Sequence, residues 1–410
     1  MISSEVEGDV AVKRCRVVYM VHSLGVGGLE RCVVRLANGL PRDRFSPAIV
    51  SLTTLGEAAK WLEKEDVELV AMNWKGGNNL RRVRELSRVL SGLGADVVHS
   101  QNWGTLLEAS IGRRLAGVPV HLHTEHGQDS QENIAGWKRF VRGRLSNLAF
   151  RAATDVFVCA ETNRQRVSKR TGYRADRLRY VPNGVDAPAF APGDAARLRL
   201  ETGIGPDAFV VGSVARLVPV KNFPSAVEAI AQLVDRGINV HLVLVGDGPE
   251  RGVIRETSQR LGIESHVHLV GAKTDVGPWL SMFDVYVNCS VSEAMSMGVL
   301  EAMATGLPVV ATNVGDNRHL VCGAPPAGLV VEPDRADELA GAIERIIQSK
   351  DLSTEFQTGA RERYRREFTE DAFVNSHATA YEQAMSRFPR RQPAGEVQTR
   401  RFAADGNVAP

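Results

Sequence analysis

Residues 284–312 read DVYVNCSVSEAMSMGVLEAMATGLPVVAT. An apolar run, Asp284–Cys289, leads into a loop of small residues, a helical stretch and a second apolar run, Pro308–Thr312. Ser296 is placed to cap the helix, and Gly306 with Pro308 to end it. A strand, a crossover helix and a strand form the unit of a parallel sheet. Eight residues at ~100° each would set Glu293 and Glu301 about 80° apart on one helix. Glu293 is therefore expected in the loop and Glu301 in the first helical turns. Both then face a helix N-terminus, whose unpaired N–H groups and positive dipole end suit a phosphate. The two carboxylates can accept hydrogen bonds from hydroxyls on either side of it.

The same grammar extends both ways along the chain. Upstream apolar runs are Arg16–Val21, Ala48–Leu52, Val67–Ala71, Asp96–His99, Pro119–His123, Asp155–Ala160 and Leu178–Val181. Amphipathic stretches such as Leu80–Leu93, Thr105–Ala116 and Trp137–Ala153 lie between them. A second set runs through Phe209–Val214, Val240–Val245, His266–Val270, Asp284–Cys289, Pro308–Thr312 and Gly328–Val331. Continuous Val/Ile/Leu runs mark strands covered on both faces, as in parallel α/β sheets. The Ala-, Pro- and Gly-rich stretch Asp186–Gly205 separates the sets. The expected class is α/β, with two Rossmann-like domains at 10–188 and 189–368 facing a cleft. Thr369–Arg387 reads as one helix, and 388–410, rich in Arg, Pro and Gly, as a disordered tail.

Composition narrows the function. Of 410 residues, 43% are hydrophobic and 24% charged, ordinary for soluble globular chains. Fifty Lys and Arg against 48 Asp and Glu leave +2, which does not support binding to a nucleic-acid backbone. Residues 1–190 hold 28 basic and 20 acidic residues, a net of +8, against −6 for the remainder. No apolar run approaches the ~20 residues that span a bilayer. The N-terminus has acids and no apolar core, so it does not read as a secretory signal. Cys15, Cys32, Cys159, Cys289 and Cys322 form no CxxC pair. Neither a disulfide framework nor a zinc site is expected, and a cytoplasmic setting is.

Two more loops complete the candidate site. After the first strand comes His22-Ser-Leu-Gly25-Val-Gly27-Gly28-Leu29-Glu30. Its glycines let backbone N–H groups approach a phosphate, or simply make a tight turn. It is no dinucleotide fingerprint: Glu30 stands where the third glycine would fall, and Ser51-Leu52 where the ribose acid would. The second half opens with Arg216-Leu-Val-Pro-Val-Lys221 beyond a strand. Arg216 can grip a diphosphate by its planar fork and Lys221 as a point charge.

The Arg216…Lys221 pair, the Glu293–Glu301 spacing and the GLPVVATNVG continuation resemble retaining GT-B glycosyltransferases of family 4. Gly27-Gly28-Leu-Glu30, Pro182-Asn183-Gly184-Val185-Asp186 and Val245-Gly-Asp247-Gly248-Pro249 match in order. The resemblance spans about residues 16–386. With Thr124-Glu125-His126-Gly127, the set is similar to members associated with bacterial exopolysaccharide synthesis.

The resemblance implies a GT-B fold whose final helix crosses back to the first domain. It implies transfer of a hexose from a UDP-, GDP- or ADP-sugar to a glycan or lipid-linked acceptor, with no metal or other cofactor. Glu301 would hold the ribose and Glu293 the donor sugar. Arg216 and Lys221 would neutralise the leaving diphosphate. Amides near Met295, Ser296, Met297 and Gly298, with Gly27 and Gly28, would add donors. His126 would face the reacting sugar, and His99, Asn102 and Glu125 are acceptor-side candidates. This chain has Gln101 where many relatives carry a second histidine, Ala294 after the first glutamate, and Asp316 after Gly315. The last two departures bear on the donor sugar's identity. A GT-B epimerase, an inverting transferase and a non-enzymatic nucleotide-sugar scaffold are the competing readings.

Between Asn133 and Thr154 there is no acid. Lys138, Arg139, Arg142, Arg144 and Arg151 alternate with Trp137, Phe140, Val141, Leu145, Leu148 and Phe150. Such a helix can lie on an anionic membrane, at its inner face, or pack its apolar stripe on the sheet.

Overall fold

The computed structural model describes residues 14–75, 80–127 and 136–389. Seven strands come first: β1 (Cys15–Val21), β2 (Phe45–Ser51), β3 (Glu68–Ala71), β4 (Val97–Gln101), β5 (Val120–Glu125), β6 (Asp155–Val158) and β7 (Leu178–Tyr180). They form one sheet in the order β3-β2-β1-β4-β5-β6-β7. A second sheet contains β8 (Phe209–Val214), β9 (Val240–Val245), β10 (Val267–Gly271), β11 (Val285–Asn288), β12 (Val309–Thr312) and β13 (Gly328–Val331). Its order is β10-β9-β8-β11-β12-β13. Every pairing in both sheets is parallel. The sequence explains why: Val17 through Val21 are completely buried, as a strand covered by helices on both faces must be.

Strand order reverses once in each sheet, between β1 and β4 and between β8 and β11. The connections there leave on opposite sides and open a crevice at the strands' carboxyl ends, where such sheets bind ligands. The glycine loop follows β1, the Arg216–Lys221 loop follows β8, and the Glu293 loop follows β11.

The stretch 186–205 holds a helix, Asp194–Thr202, ended by Gly203 at φ 73°. Leu198 of that helix joins the second sheet's core, so the second domain begins before its first strand.

The helix Glu370–Arg387 returns to the first domain. Thr369 caps it, its hydroxyl accepting from the Ala372 amide at 3.1 Å. Phe373, Val374, Ala378 and Tyr381 complete the core beneath β1. Val185 and Thr369 lie side by side where the chain crosses between domains. Val185 N–H donates to Phe368 and Glu370 N–H donates to Val185, at 3.0 and 3.1 Å. Arg35 fastens this crossing, with Nε 3.0 Å from Glu370 and Nη1 donating to the Gly184 carbonyl at 3.1 Å. Burial first, then the neighbouring Asp186, pushes the Glu370 carboxyl up to about 7. Of the tail read as disordered, residues 390–410 lie outside the described residues.

The returning helix corrects one expectation. His99 has no exposed surface. Its Nδ1 lies 2.8 Å from the Tyr381 hydroxyl and its Nε2 2.7 Å from the Thr124 hydroxyl. It is a satisfied core histidine and does not reach the acceptor side.

The basic helix Gly136–Ala152 also departs from the packed-stripe reading. It buries Gly143, Ser146, Ala149 and Phe150. A Cβ on Gly143 would sit 2.5 Å from the Arg170 carbonyl, so a neighbouring helix end presses against this face. Trp137, Phe140 and Leu148 stay 69%, 63% and 64% exposed.

Candidate active site in the interdomain cleft

The Arg216–Lys221 loop is braced from below. Leu217 N–H donates to Asp247 at 2.9 Å and Glu250 N–H to Leu217 at 3.0 Å. Gly248, at φ +157°, lies directly against the Leu217 carbonyl, where a side chain would clash. The Gly-Asp-Gly-Pro motif is thus a support for the loop. Arg216 is exposed and near Glu30, whose ionised form it favours against burial.

Lys221 and Glu293 form an ion pair. Their loops are stitched together by Val291 N–H donating to Val220 at 2.9 Å and Cys289 Sγ to Lys221 at 3.1 Å. Glu293 Oε1 also accepts from the Ser290 hydroxyl at 2.7 Å and from Asn288 Nδ2 at 3.4 Å. Asn317 Nδ2 donates to the Asn288 side-chain Oδ1 at 3.2 Å. Asn288, Ser290 and Asn317 were missed in the sequence. The signal for Asn288 was a polar residue inside an otherwise apolar strand.

Glu293 lies in the loop, and Glu301 lies within the helix Met297–Thr305. Ser296 holds the N-cap position, yet its hydroxyl lies 3.0 Å from Asn288 Nδ2 and makes no cap bond. Gly306 ends the helix at φ 79°. Gly298 seats the helix close: a Cβ there would meet the Tyr286 hydroxyl, and would lie 2.8 Å from the Val214 carbonyl. Met295 and Met297 pack under the Asn183 turn. Glu301 is nearly buried and faces the first domain, with Arg31 at 3.8 Å. Burial pushes its carboxyl up while Arg31 and Arg35 pull it down.

The glycine loop touches this helix, Gly28 standing 3.9 Å from Met297 when given a Cβ. Its own Glu30 carboxylate folds back against Gly27. The N-terminus of Gly28–Gly39 therefore already faces an anion, and Glu30 would have to move for a phosphate to contact Gly27.

His126 follows β5. Its N–H donates to Asn102 Oδ1 at 2.8 Å, and its Nε2 lies 2.7 Å from Gln101 Oε1. A carbonyl oxygen only accepts, so Nε2 carries the proton and Nδ1 the lone pair. Burial first, then His377 and His123, lowers His126 to about 3. It is a neutral hydrogen-bonding group, not a cation. Asn102 positions the His126 loop. Glu125 is not brought to the cleft surface: it is 3% exposed and bound by His123 at 3.2 Å and Arg170 at 2.9 Å. Burial raises its carboxyl, but His123 and Arg170 outweigh that and hold it at about 2.

His126 and Glu293 approach through their neighbours. A Cβ on Gly127 would lie 2.6 Å from that of Ala294. Asp316, completely buried, accepts from the Glu161 and Thr162 amides at 2.6 and 2.9 Å and the Thr162 hydroxyl at 3.0 Å. It caps the first-domain helix Glu161–Thr171, whose own N-cap residue, Ala160, has no side chain to do so. Both departures thus sit at the contact between domains.

Comparison with known proteins agrees with this layout. The family described as Glycosyltransferase Family 4 matches residues 26–187, and Glycosyl transferases group 1 matches 194–363. A D-inositol 3-phosphate glycosyltransferase of Actinosynnema mirum is 31% identical over 319 residues, 72% of this chain and 73% of its own. An Escherichia coli UDP-Gal:alpha-D-GlcNAc-diphosphoundecaprenol alpha-1,3-galactosyltransferase is 28% identical, covering 80% of this chain and 87% of its own. Among solved structures, Anabaena Alr3699/HepE in complex with UDP-glucose aligns with TM-score 0.76 at 24% identity, covering 90% of this chain and 99% of that one. One family description spans β2 to β7 of the first sheet and the other the whole second sheet, and the matched motifs line the rims that face each other. The chain therefore belongs to the group 1, family 4 glycosyltransferases of GT-B fold, transferases of the EC 2.4 class.

Proposed function

We propose that the protein is a metal-independent, retaining hexosyltransferase that uses a UDP-sugar and a glycan or lipid-linked acceptor in cell-surface or exopolysaccharide synthesis. The observation that carries this reading is the Lys221–Glu293 pair beside the N-terminus of the helix Met297–Thr305. Lys221, Arg216 and the helix dipole together supply positive potential where a diphosphate leaves. That potential replaces a divalent ion. Glu293 is held by three groups, Lys221, Ser290 and Asn288, and His126 is neutral. Neither is set up as a covalent nucleophile or a strong base. The leaving phosphate would take the acceptor's proton on the same face of the sugar, with retention.

The uridine choice draws on HepE, solved with UDP-glucose, and on the UDP-Gal-dependent relative. The purified protein should release UDP from UDP-glucose or UDP-galactose in excess EDTA as fast as with magnesium. GDP-mannose and ADP-glucose serve as controls. NMR of the product's anomeric carbon reads retention. Activity lost in EDTA and restored by magnesium, or an inverted product, would refute the corresponding part.

A lipid-linked acceptor favours a membrane-facing first domain. The exposed Trp137, Phe140 and Leu148 lie among Lys138, Arg139 and Arg144, with Lys138 and Arg144 over the Trp137 and Phe140 rings at 5.9 and 5.1 Å. No helix among the described residues is long and apolar enough to cross a membrane. The expected result is co-sedimentation with vesicles containing anionic lipid, weakened about tenfold in W137A/F140A. Equal sedimentation of the double variant would argue against this surface.

A further inference from the structure

β4 ends on Gln101, and Asn102 follows it directly. Both grip His126. Gln101 Oε1 lies 2.7 Å from Nε2 of the ring, and Asn102 Oδ1 accepts from the His126 backbone N–H at 2.8 Å. Successive side chains of a strand point to opposite faces, so two neighbours do not ordinarily reach one target. They do so here because Asn102 turns the chain at φ 53°, in the left-handed region. A non-glycine residue is held there at a cost, and such residues cluster at functional sites.

The clamp is itself braced. The Thr105 hydroxyl accepts from the Gln101 N–H and donates to the Gln101 backbone carbonyl, each at 2.8 Å. The Cys159 thiol donates to the His126 carbonyl at 3.1 Å. Gln101 is 3% exposed, yet its own Nε2 makes no hydrogen bond. Buried amides are nearly always satisfied. This one leaves its donor unmet and commits its oxygen to the imidazole. With Nε2 protonated, the ring's remaining atom is Nδ1, which has no hydrogen bond among the described residues.

We propose that Gln101 is a positioning residue for sugar transfer: its amide oxygen keeps His126 in the Nε2–H form, so that Nδ1 accepts a hydrogen bond from a hydroxyl of the hexose. The proposal rests on the glycosyltransferase reading above and adds a residue to its machinery. The neutrality of the amide matters. A carboxylate at the same distance would favour the imidazolium, whose Nδ1 donates and no longer accepts. The groups that face His126 are His99 from β4, His123 and Glu125 from β5, Cys159 beyond β6 and His377 from the returning helix. Glu125 is the one carboxylate among them, and His123 and Arg170 already hold it. Burial first keeps His126 at about 3 and His377 at about 4.

Nitrogen-15 spectra of histidine-labelled protein read the tautomer, with H126N identifying the signal. The wild type should show a neutral, Nε2-protonated His126 from about pH 5 to 8. Q101E should raise the pH at which the ring charges by about two units. Its UDP-glucose or UDP-galactose turnover should then fall as the pH drops through that value and return above it, a step absent from the wild type. Q101L offers no oxygen and should lose roughly tenfold in kcat at every pH. Q101E at the alkaline end retains an acceptor oxygen and should recover most of that loss. UDP alone should bind all variants equally by calorimetry, which separates lost positioning from lost fold. A wild-type His126 protonated on Nδ1, or Q101L with unchanged tautomer and kcat, overturns the proposal. If the wild type turns over neither UDP-sugar, the donor reading itself falls, and this proposal with it.

Discussion

Lys221→Ala should lower kcat for UDP-sugar turnover by about two to three orders of ten, with the far-UV dichroism unchanged. Preorganised charges aimed at a departing anion commonly carry that much of the barrier. Lys221 is the cation built into the site: it bonds Glu293 and is only 21% exposed along its side chain. Truncating it removes the charge facing the diphosphate. It also leaves the Glu293 carboxylate to neutral donors, the Ser290 hydroxyl and the Asn288 amide. KM should change far less than kcat, because the charge on the phosphate grows as the bond breaks. Lys221→Arg should recover only part of the rate, since a planar fork cannot reproduce a point charge against one carboxylate oxygen. Steady-state kinetics in EDTA measure this, and an unaltered kcat in the alanine variant would remove Lys221 from the machinery.

Asp316→Ala should lower kcat/KM by about thirty- to a hundredfold while sparing each domain's stability. The carboxylate accepts two backbone amides and a hydroxyl from the other domain. A buried donor left unmet costs ~1–3 kcal/mol, and a lost helix cap ~0.5–2 kcal/mol. The amides can rehydrate if the domains separate, so about 2–3 kcal/mol should fall on the joined arrangement alone. Small-angle scattering should then report a larger radius of gyration. Asp316→Asn keeps one carbonyl acceptor and should lie between the two. An alanine variant with unchanged scattering and unchanged kcat/KM would show that the contact does not hold the cleft together.

The parallel sheets were legible because a strand buried on both faces must be apolar throughout. The rim loops were legible because Gly27, Lys221 and Glu293 break those runs where the strands end. What stayed hidden depended on partners far along the chain. His99 looked available because Tyr381, which engages it, stands 282 residues later. Asp316 looked like a sugar contact because the helix it caps begins 155 residues earlier. The basic helix misled in another way. Periodicity assigns the inner face to the largest apolar residues, yet close approach at Gly143 gave most of it to small ones, Gly143, Ser146 and Ala149, with Phe150 the one large apolar residue among those the helix buries. The pairing of Glu293 with Asn288 and Ser290 required knowing how the loop folds back onto its own strand.

The returning helix bears on how the molecule is made. Phe373, Val374 and Tyr381 belong to the core beneath β1, yet they are synthesised after the whole second sheet. A ribosome adds ~5–20 residues per second. Roughly 190 residues separate β7 from this helix, so the first sheet waits about ten to forty seconds with one face of its core open. The second domain has all its strands by then and can fold ahead of the one that precedes it.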